Sequence, residues 1–310
     1  MRAAVACGCV FLTALAARGD ELPSFAGPAM GTTYRVTLAR LPGGMAPGEV
    51  HRDVERVLER IDRAASTWRA DGDAARFNAA RADEWVDVGA DLVAILDAAR
   101  AIHDRSDGAF DVTVMPLVRL WRASSPPEPA AVAAACDRVG MAFVETRSGD
   151  GRFAVRKTRD GVEIDLAGIA PGYAVDAIGA RLAELGSDAH LVELGGEVRA
   201  WGRHPEGRPW RVRLTVANGK EPRAFDVEPG VALATSTIRP GGGAIDPRTG
   251  RRAGAIHGRA ATVLAQNATT ADAWAVAAIV LDLEPDERGI VTVPPPRAVE
   301  PAEAVEPARP

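Results

Sequence analysis

Between Val162 and Gly196 the chain changes its hydrophobic period twice, and this limits its fold more than any other feature. Val162 to Leu166 alternates as a strand. Gly172 to Leu185 then carries Tyr173, Ile178, Leu182 and Leu185 near helical spacing, with Gly186 as a natural stop. His190 to Leu194 returns to the strand period and ends at Gly195-Gly196. The same mixing holds elsewhere. Thr33 to Leu38, Trp210 to Val216, Gly230 to Thr235 and Ala260 to Ala265 read as strands, and Asn218-Gly219 as a hairpin turn. Glu49 to Ala65 places Val50, Val54, Val57, Leu58, Ile61 and Ala65 on one helical face. Leu92 to His103 repeats that pattern, and Thr270 to Leu283 is a long apolar helix. No strict βαβ rhythm and no internal repeat emerges. The expected class is α+β, with mixed sheets packed against helices.

Two termini stand apart from this pattern. Met1 to Ala17 joins Arg2, an apolar run and the small-residue site Ala14-Leu15-Ala16. That is the pattern of a cleaved signal peptide, too short for a membrane span, and it predicts an exported, periplasmic protein. The plain alternative is a buried helix. Pro294 to Pro310 is Pro/Ala/Glu material that cannot bury a core, and it reads as a disordered tail. The folded domain is then expected over residues 18–293. Removal of the leader takes Cys7 and Cys9, so Cys136 remains alone. It can form no internal disulfide, and its Ala-rich helical setting favours burial. A net charge of -5 gives no footprint for nucleic acid. With 47% hydrophobic residues the chain has ample material for a large core.

Three clusters could carry chemistry. In Ile164 to Asp176 (IDLAGIAPGYAVD), Asp165 ends a strand, while Gly168 and Gly172 allow backbone to approach a ligand. The helix start that follows is a seat for phosphate. Read by itself, the segment is equally a plain strand–turn–helix connection. Ala244 to Gly250 (AIDPRTG) is a turn in which Asp246 and Arg248 can simply pair. Asp272 stands in the first turn of the last helix, as a cap residue or as a hard-cation ligand.

Six segments occur together and in order. They are Met30-Gly31-Thr32; Ser66-Thr67-Trp68 with Arg76-Phe77-Asn78; Phe110 to Thr113 with Pro116-Leu117 and Leu120-Trp121; Ile164 to Asp176; Val192 to Val198; and Ile245 to Gly250 with Asp272. From about Met30 to about Leu283 the chain resembles the FAD:protein FMN transferase family, the ApbE-like flavin transferases. The resemblance implies their fold and their activity. FAD is cleaved with Mg²⁺, and FMN is attached by a phosphoester to Thr or Ser of an acceptor flavoprotein. A component of an inner-membrane redox complex is one candidate acceptor. Some members are instead metal-dependent pyrophosphatases that release FMN and AMP. The resemblance further implies that Met30, Trp68, Ala109, Phe110, Asp111, Ala167, Tyr173 and Ile245 line the flavin nucleotide. It implies a metal between the Ala170 carbonyl and Asp272, and a proton-accepting role for Asp272.

This chain departs from the family at chemical positions. Ala167 stands where a polar residue is usual, and Pro171 where Lys or Glu is usual. Gly243 replaces a His, and Val276 replaces a Thr one helical turn after Asp272. Thr235 to Arg239 lacks the glycine and tyrosine expected after Thr-Ser. His204 and His257 stand at no family position and read as surface residues. These substitutions motivate a second reading, a catalytically weakened FAD-binding protein.

Overall fold

The computed structural model describes residues 13–14, 22–123, 126–214, 223–237, 244–253, 260–287 and 289–292. Most of the leader, the Pro/Ala/Glu tail, Asn218-Gly219, Gly243 and His257 lie outside the described residues. The chain opens with β1 (Thr13–Ala14), β2 (Ser24–Ala29) and β3 (Thr32–Leu38), then α1 (Pro47–Ala65) and α2 (Asp73–Ala79). There follow β4 (Val86–Val88), α3 (Ala90–Arg105), α4 (Met115–Ala123), α5 (Pro129–Cys136), β5 (Val144–Gly149) and β6 (Arg152–Lys157). The second half holds α6 (Ala170–Glu184), β7 (His190–Leu194), β8 (Glu197–Trp201), β9 (Trp210–Leu214) and β10 (Arg223–Val227). It ends with β11 (Ala232–Thr237), β12 (Ala260–Ala265), α7 (Ala268–Val280) and β13 (Ile290–Val291).

The main sheet has seven strands in the order β13-β12-β11-β8-β7-β3-β2. Its pairs are antiparallel except β12 with β13, so the sheet is mixed, as expected. Strand alternation sorts its two faces. Val36 and Val192, opposite each other in register, face the large core, as do Leu194 and Val263. That core is closed by α1, α3, α6 and α7. Leu191, Val198 and Leu233 face the other way, onto Trp210, Val212 and Val227 of the small sheet β1-β9-β10. Thr13 and Ala14, within the expected leader, pair with Arg213 and Val212 at the edge of β9.

Val162 to Leu166 is extended but is not a strand; its one ladder contact is the bridge from Val114 to Glu163. Asp165 N donates to Val112 O at 2.7 Å, and two side chains supply further bonds. The Asn78 amide accepts from Ile164 N at 2.7 Å and donates to Ile164 O at 3.0 Å. Lys157, only 1% exposed, spans the same segment. Its Nζ donates to the carbonyls of Asn78 and Val162 at 3.0 and 2.7 Å. Period-2 patterning registers the extended conformation and cannot tell a neighbouring strand from an amide that mimics one. The third sheet, β4-β6-β5, carries Lys157 at its end and so holds the segment that leads into the site. Cys136 is half-buried, at the C-terminus of α5.

Candidate functional site

Two cavities, of about 260 and 320 Å³, share Asp165 and Ala167 as a common wall and together form one groove. Met30 enters the first cavity from the β2–β3 hairpin. With Ala29 opposite Thr32, this hairpin has a two-residue loop, Met30-Gly31. Both residues have positive φ, 48° and 78°, the type I′ turn whose twist suits the flanking strands. Only glycine accepts that region freely, so Met30 is held there at some cost. Trp68 enters from the α1–α2 loop. The residue is 85% exposed, which rules out core packing and leaves its ring available to stack on a flat ligand. Arg69 fixes that loop through Glu59, Asp62 and Asp71.

Ala109, Phe110, Asp111 and Ile245 line the second cavity together with Val276. The carboxylate of Asp111 is fully engaged. One oxygen accepts from Thr113 N and Oγ1 at 2.8 and 2.6 Å. The other accepts from Met141 N and lies 3.2 Å from His103 Nδ1. The Asp111 bond holds the His103 pKa above its ordinary value against the effect of burial. Asp111 thus shapes the turn that presents Phe110. Asp246 and Arg248 pair within their own turn, at 2.9 Å.

Ala170 lines the first cavity and Asp272 lies behind it, 6% exposed. The first turns of α6 and α7 cap each other. The Gly172 N–H of α6 donates to Asp272 Oδ2 of α7 at 3.0 Å. In return Asp176 of α6 accepts from Ala268 N at 3.0 Å, Thr269 N at 2.9 Å and Thr269 Oγ1 at 2.6 Å. The close crossing depends on Gly172, where a Cβ would stand 2.3 Å from the Ala268 carbonyl oxygen. Gly172 therefore admits a helix, where the sequence suggested a ligand. Gly168 likewise faces Val276, whose Cγ2 would lie 3.0 Å from an added Cβ. Burial raises the pKa of Asp272 well above the carboxylate range; the Gly172 N–H opposes this and the nearby Asp176 adds to it.

The expected phosphate seat at the start of α6 does not exist. Ala170 N donates to Leu166 O, Pro171 has no N–H, Gly172 N donates to Asp272 and Tyr173 N donates to Ile169 O. The start of α7 is equally engaged, with Thr270 N on the Asn267 side chain. No Lys or Arg is among the described residues that line either cavity, whereas Asp62, Asp111 and Asp165 are. Tyr173 lines neither cavity. Its hydroxyl donates to Asp91 at 2.9 Å, and its pKa is pushed up to about 12 by burial and by that carboxylate. Asp91 in turn pairs with Arg60.

Sequence reasoning missed Asp62 and Arg199. Asp62 had a signal, since an acid in the last turn of a helix opposes the helix dipole. Arg199, which donates to Asp176 at 2.8 Å, had none beyond its place on a strand. No group of three or more His, Cys, Asp or Glu able to hold a metal occurs among the described residues. Behind the first cavity the chain offers a cation one oxygen of the buried Asp272 carboxylate, with the Asp62 and Asp165 carboxylates lining the cavity itself. Such a hard, incomplete donor set suits Mg²⁺, which is commonly held by one or two carboxylates plus substrate phosphates and water.

The profile of the ApbE family matches residues 30–291. The FAD:protein FMN transferase of Haemophilus influenzae is 30% identical, over 83% of this chain and 80% of its own. That of Vibrio cholerae is 30% identical over 92% and 88%. Among solved structures, the apo form of the Pseudomonas stutzeri flavinyl transferase ApbE superposes with a TM-score of 0.73 at 31% identity, covering 83% of this chain and 84% of that one. The flavin transferase ApbE of Vibrio cholerae gives 0.73 at 29% identity, covering 86% and 88%.

Proposed function

The chain belongs to the ApbE family of FAD:protein FMN transferases, and we propose that it cleaves FAD in the two-lobed groove as a complex with Mg²⁺ and passes FMN to a Thr or Ser hydroxyl. The observation that carries this reading is the charge of the groove. Its described lining holds three carboxylates and no cation, and both helix N-termini behind it are already capped. A pyrophosphate can enter such a groove only with its charge already neutralised. A bound Mg²⁺ supplies that neutralisation and stabilises the charge that grows as the bond breaks.

Asp272 and the Ala170 carbonyl would hold the metal, with Asp272 Oδ2 oriented by the Gly172 N–H. Met30, Trp68, Ala109, Phe110, Ala167 and Ile245 position the nucleotide, and Asp111 does so through the turn it braces. The acceptor oxygen forms a bond to the FMN-side phosphorus, and the bond to AMP breaks. The hydroxyl proton needs an acceptor as that bond forms, and the Asp272 oxygen not held by Gly172 N is the nearest candidate. The leader predicts that this happens outside the cytoplasmic membrane, on an exported acceptor flavoprotein or an inner-membrane redox complex. Among the described residues no helix is long and apolar enough to cross a membrane.

Val276 favours a second reading. It turns methyl groups into the groove where an oxygen would serve a metal better. One assay separates the readings: AMP release from FAD and Mg²⁺, with and without a Thr-bearing acceptor, with and without EDTA. Acceptor-dependent, EDTA-sensitive AMP release with covalent labelling is expected. AMP release without labelling would make the chain a pyrophosphatase. FAD binding indifferent to EDTA, with no AMP, would leave it a binding protein.

A further inference from the structure

The reciprocal capping of α6 and α7 brings two carboxylates close together and gives them opposite tasks. Asp272 keeps one oxygen on Gly172 N and has the other to offer. Asp176 commits both oxygens to α7 and to a single cation, Arg199, which reaches in from β8 at 2.8 Å. That guanidinium cannot wander. It lies 4.7 Å over the Trp201 ring, and Trp201 is stacked on His190 at 4.8 Å. The indole also presses onto α6 where Gly179 leaves room, since a Cβ there would stand 2.0 Å from the ring. Arg199 Nε is buried without an acceptor among the described residues, so Asp176 is the anchor of its hydrogen bonding.

We propose that Arg199 is a positioning residue for the metal site. This rests on Asp272 being the metal's carboxylate. Arg199 holds Asp176 against the first turn of α7, and that turn carries Asp272. It thereby sets where Asp272 stands relative to Ala170. It also keeps Asp176 from turning toward the metal as a rival ligand, which would uncap α7. The arrangement is an outer support for a metal ligand built from an ion pair and an aromatic plate, one step further from the metal than the usual partner.

The test uses Tb³⁺ alone as an oxygen-seeking probe on the FAD-free protein, read by luminescence sensitised by Trp. Asp272→Asn identifies the site and should abolish its signal. Arg199→Met should weaken Tb³⁺ binding by about tenfold or more, as losing a ligand's support typically does. Arg199→Lys, which keeps the charge but not the flat fork, should recover most of that loss. A residue that served only stability would lower the unfolding temperature and leave the Tb³⁺ affinity of the folded protein unchanged. If Arg199→Met does not fold, Arg199→Lys carries the test, with a loss of about threefold expected from its poorer geometry. Native Tb³⁺ affinity in the folded Arg199 variants, or tighter binding, overturns the proposal while leaving the Asp272 site standing. Native affinity in Asp272→Asn removes the metal reading and this proposal with it.

Discussion

Adding one methyl group at Gly172 should loosen the site, against the preference of the helix that contains it. In an unconstrained helix interior, Gly→Ala gains about 1 kcal/mol. At Gly172 the new Cβ would stand 2.3 Å from the Ala268 carbonyl oxygen and 2.8 Å from Asp272 Cβ. Ordinary carbon contacts lie at roughly 3.5 Å, so the first turns of α6 and α7 must part by about 1 Å. The nearest obstacle is backbone, and no rotamer change can relieve it. Overpacking of this kind costs about 1–3 kcal/mol. With the upper part of that range and the helix gain subtracted, Gly172→Ala should lose about 1–2 kcal/mol. The same displacement stretches the 3.0 Å bond from Gly172 N to Asp272 Oδ2, so metal affinity should fall with stability. Urea unfolding without metal measures the first effect, and a Tb³⁺ titration of the folded protein the second. Gly48→Ala is the control. It lies in the first turn of α1, and the nearest atom to its added Cβ is Arg52 Nη1 at 3.5 Å. Stability equal to or above that of the parent in Gly172→Ala, with unchanged Tb³⁺ affinity, would refute the helix crossing as the support of Asp272.

Metal affinity should rise with pH, because burial keeps a proton on Asp272 that the metal must displace; equal affinities by calorimetry at acidic and neutral pH would contradict this. Val276→Thr should tighten metal binding by adding an oxygen beside the groove, at a stability cost of about 1 kcal/mol for the half-buried hydroxyl; EDTA titration of FAD binding reads the gain. The Glu193 pKa is pushed up from 4.5 to about 7 by burial, with Arg35 opposing, so its ionisation takes away stability as pH rises through that window. Glu193→Gln should therefore melt higher than the parent at pH 8, by on the order of 3 kcal/mol, and match it near pH 4. His190, pushed down from 6.5 to about 4 by burial, acts at the other end, and stability it supports above pH 6.5 is lost as pH falls toward 4; a tyrosine or tryptophan signal that stayed flat on acidification to pH 4 would count against that.

The sequence made the helices legible because their apolar faces repeat over several turns. The expected helix from Glu49 to Ala65 is α1, and that from Leu92 to His103 is α3, each extended by about one helical turn or less. Val162 to Leu166 shows where pattern fails. Its residues alternate correctly, yet beside a short backbone contact with Val112 and Val114 their partners are the Asn78 amide and the Lys157 ammonium. A strand period carries no record of which group closes its bonds. The site residues divide in the same way. Met30, Trp68, Phe110, Ala167 and Ile245 do meet in one groove. Tyr173 does not line it, because two residues, about half a turn of α6, carry it from the face of Pro171 to the face toward Asp91. The motif could place Tyr173 in the segment but not on the side of the helix.

Pro171 and Val276 look like two separate losses, but the structure gives them one consequence. Pro171 sits at the start of α6, where its missing N–H gives the first cavity no backbone donor from that position. Val276 sits one turn beyond Asp272 and offers the second cavity methyl groups where a Thr would offer a hydroxyl, while Ser236 and Thr237 line the cavity from β11. Each removes a group that would have met the nucleotide or its cation directly. What the first turns of α6 and α7 leave for the metal is Asp272 and backbone oxygen, and the pyrophosphate brings further oxygens. The metal site is then half built by the substrate. Mg²⁺ should bind weakly alone, and FAD weakly without it, while the pair binds well, since each completes the other's coordination or charge. Such a site has little to hold it open in the right shape when empty, and so the geometry of Asp272 must come from behind. That is the part the reciprocal caps perform: Gly172 N on Asp272, Asp176 on the first turn of α7, and Arg199 on Asp176. The fewer ligands the groove supplies, the more its function depends on residues that never touch the substrate.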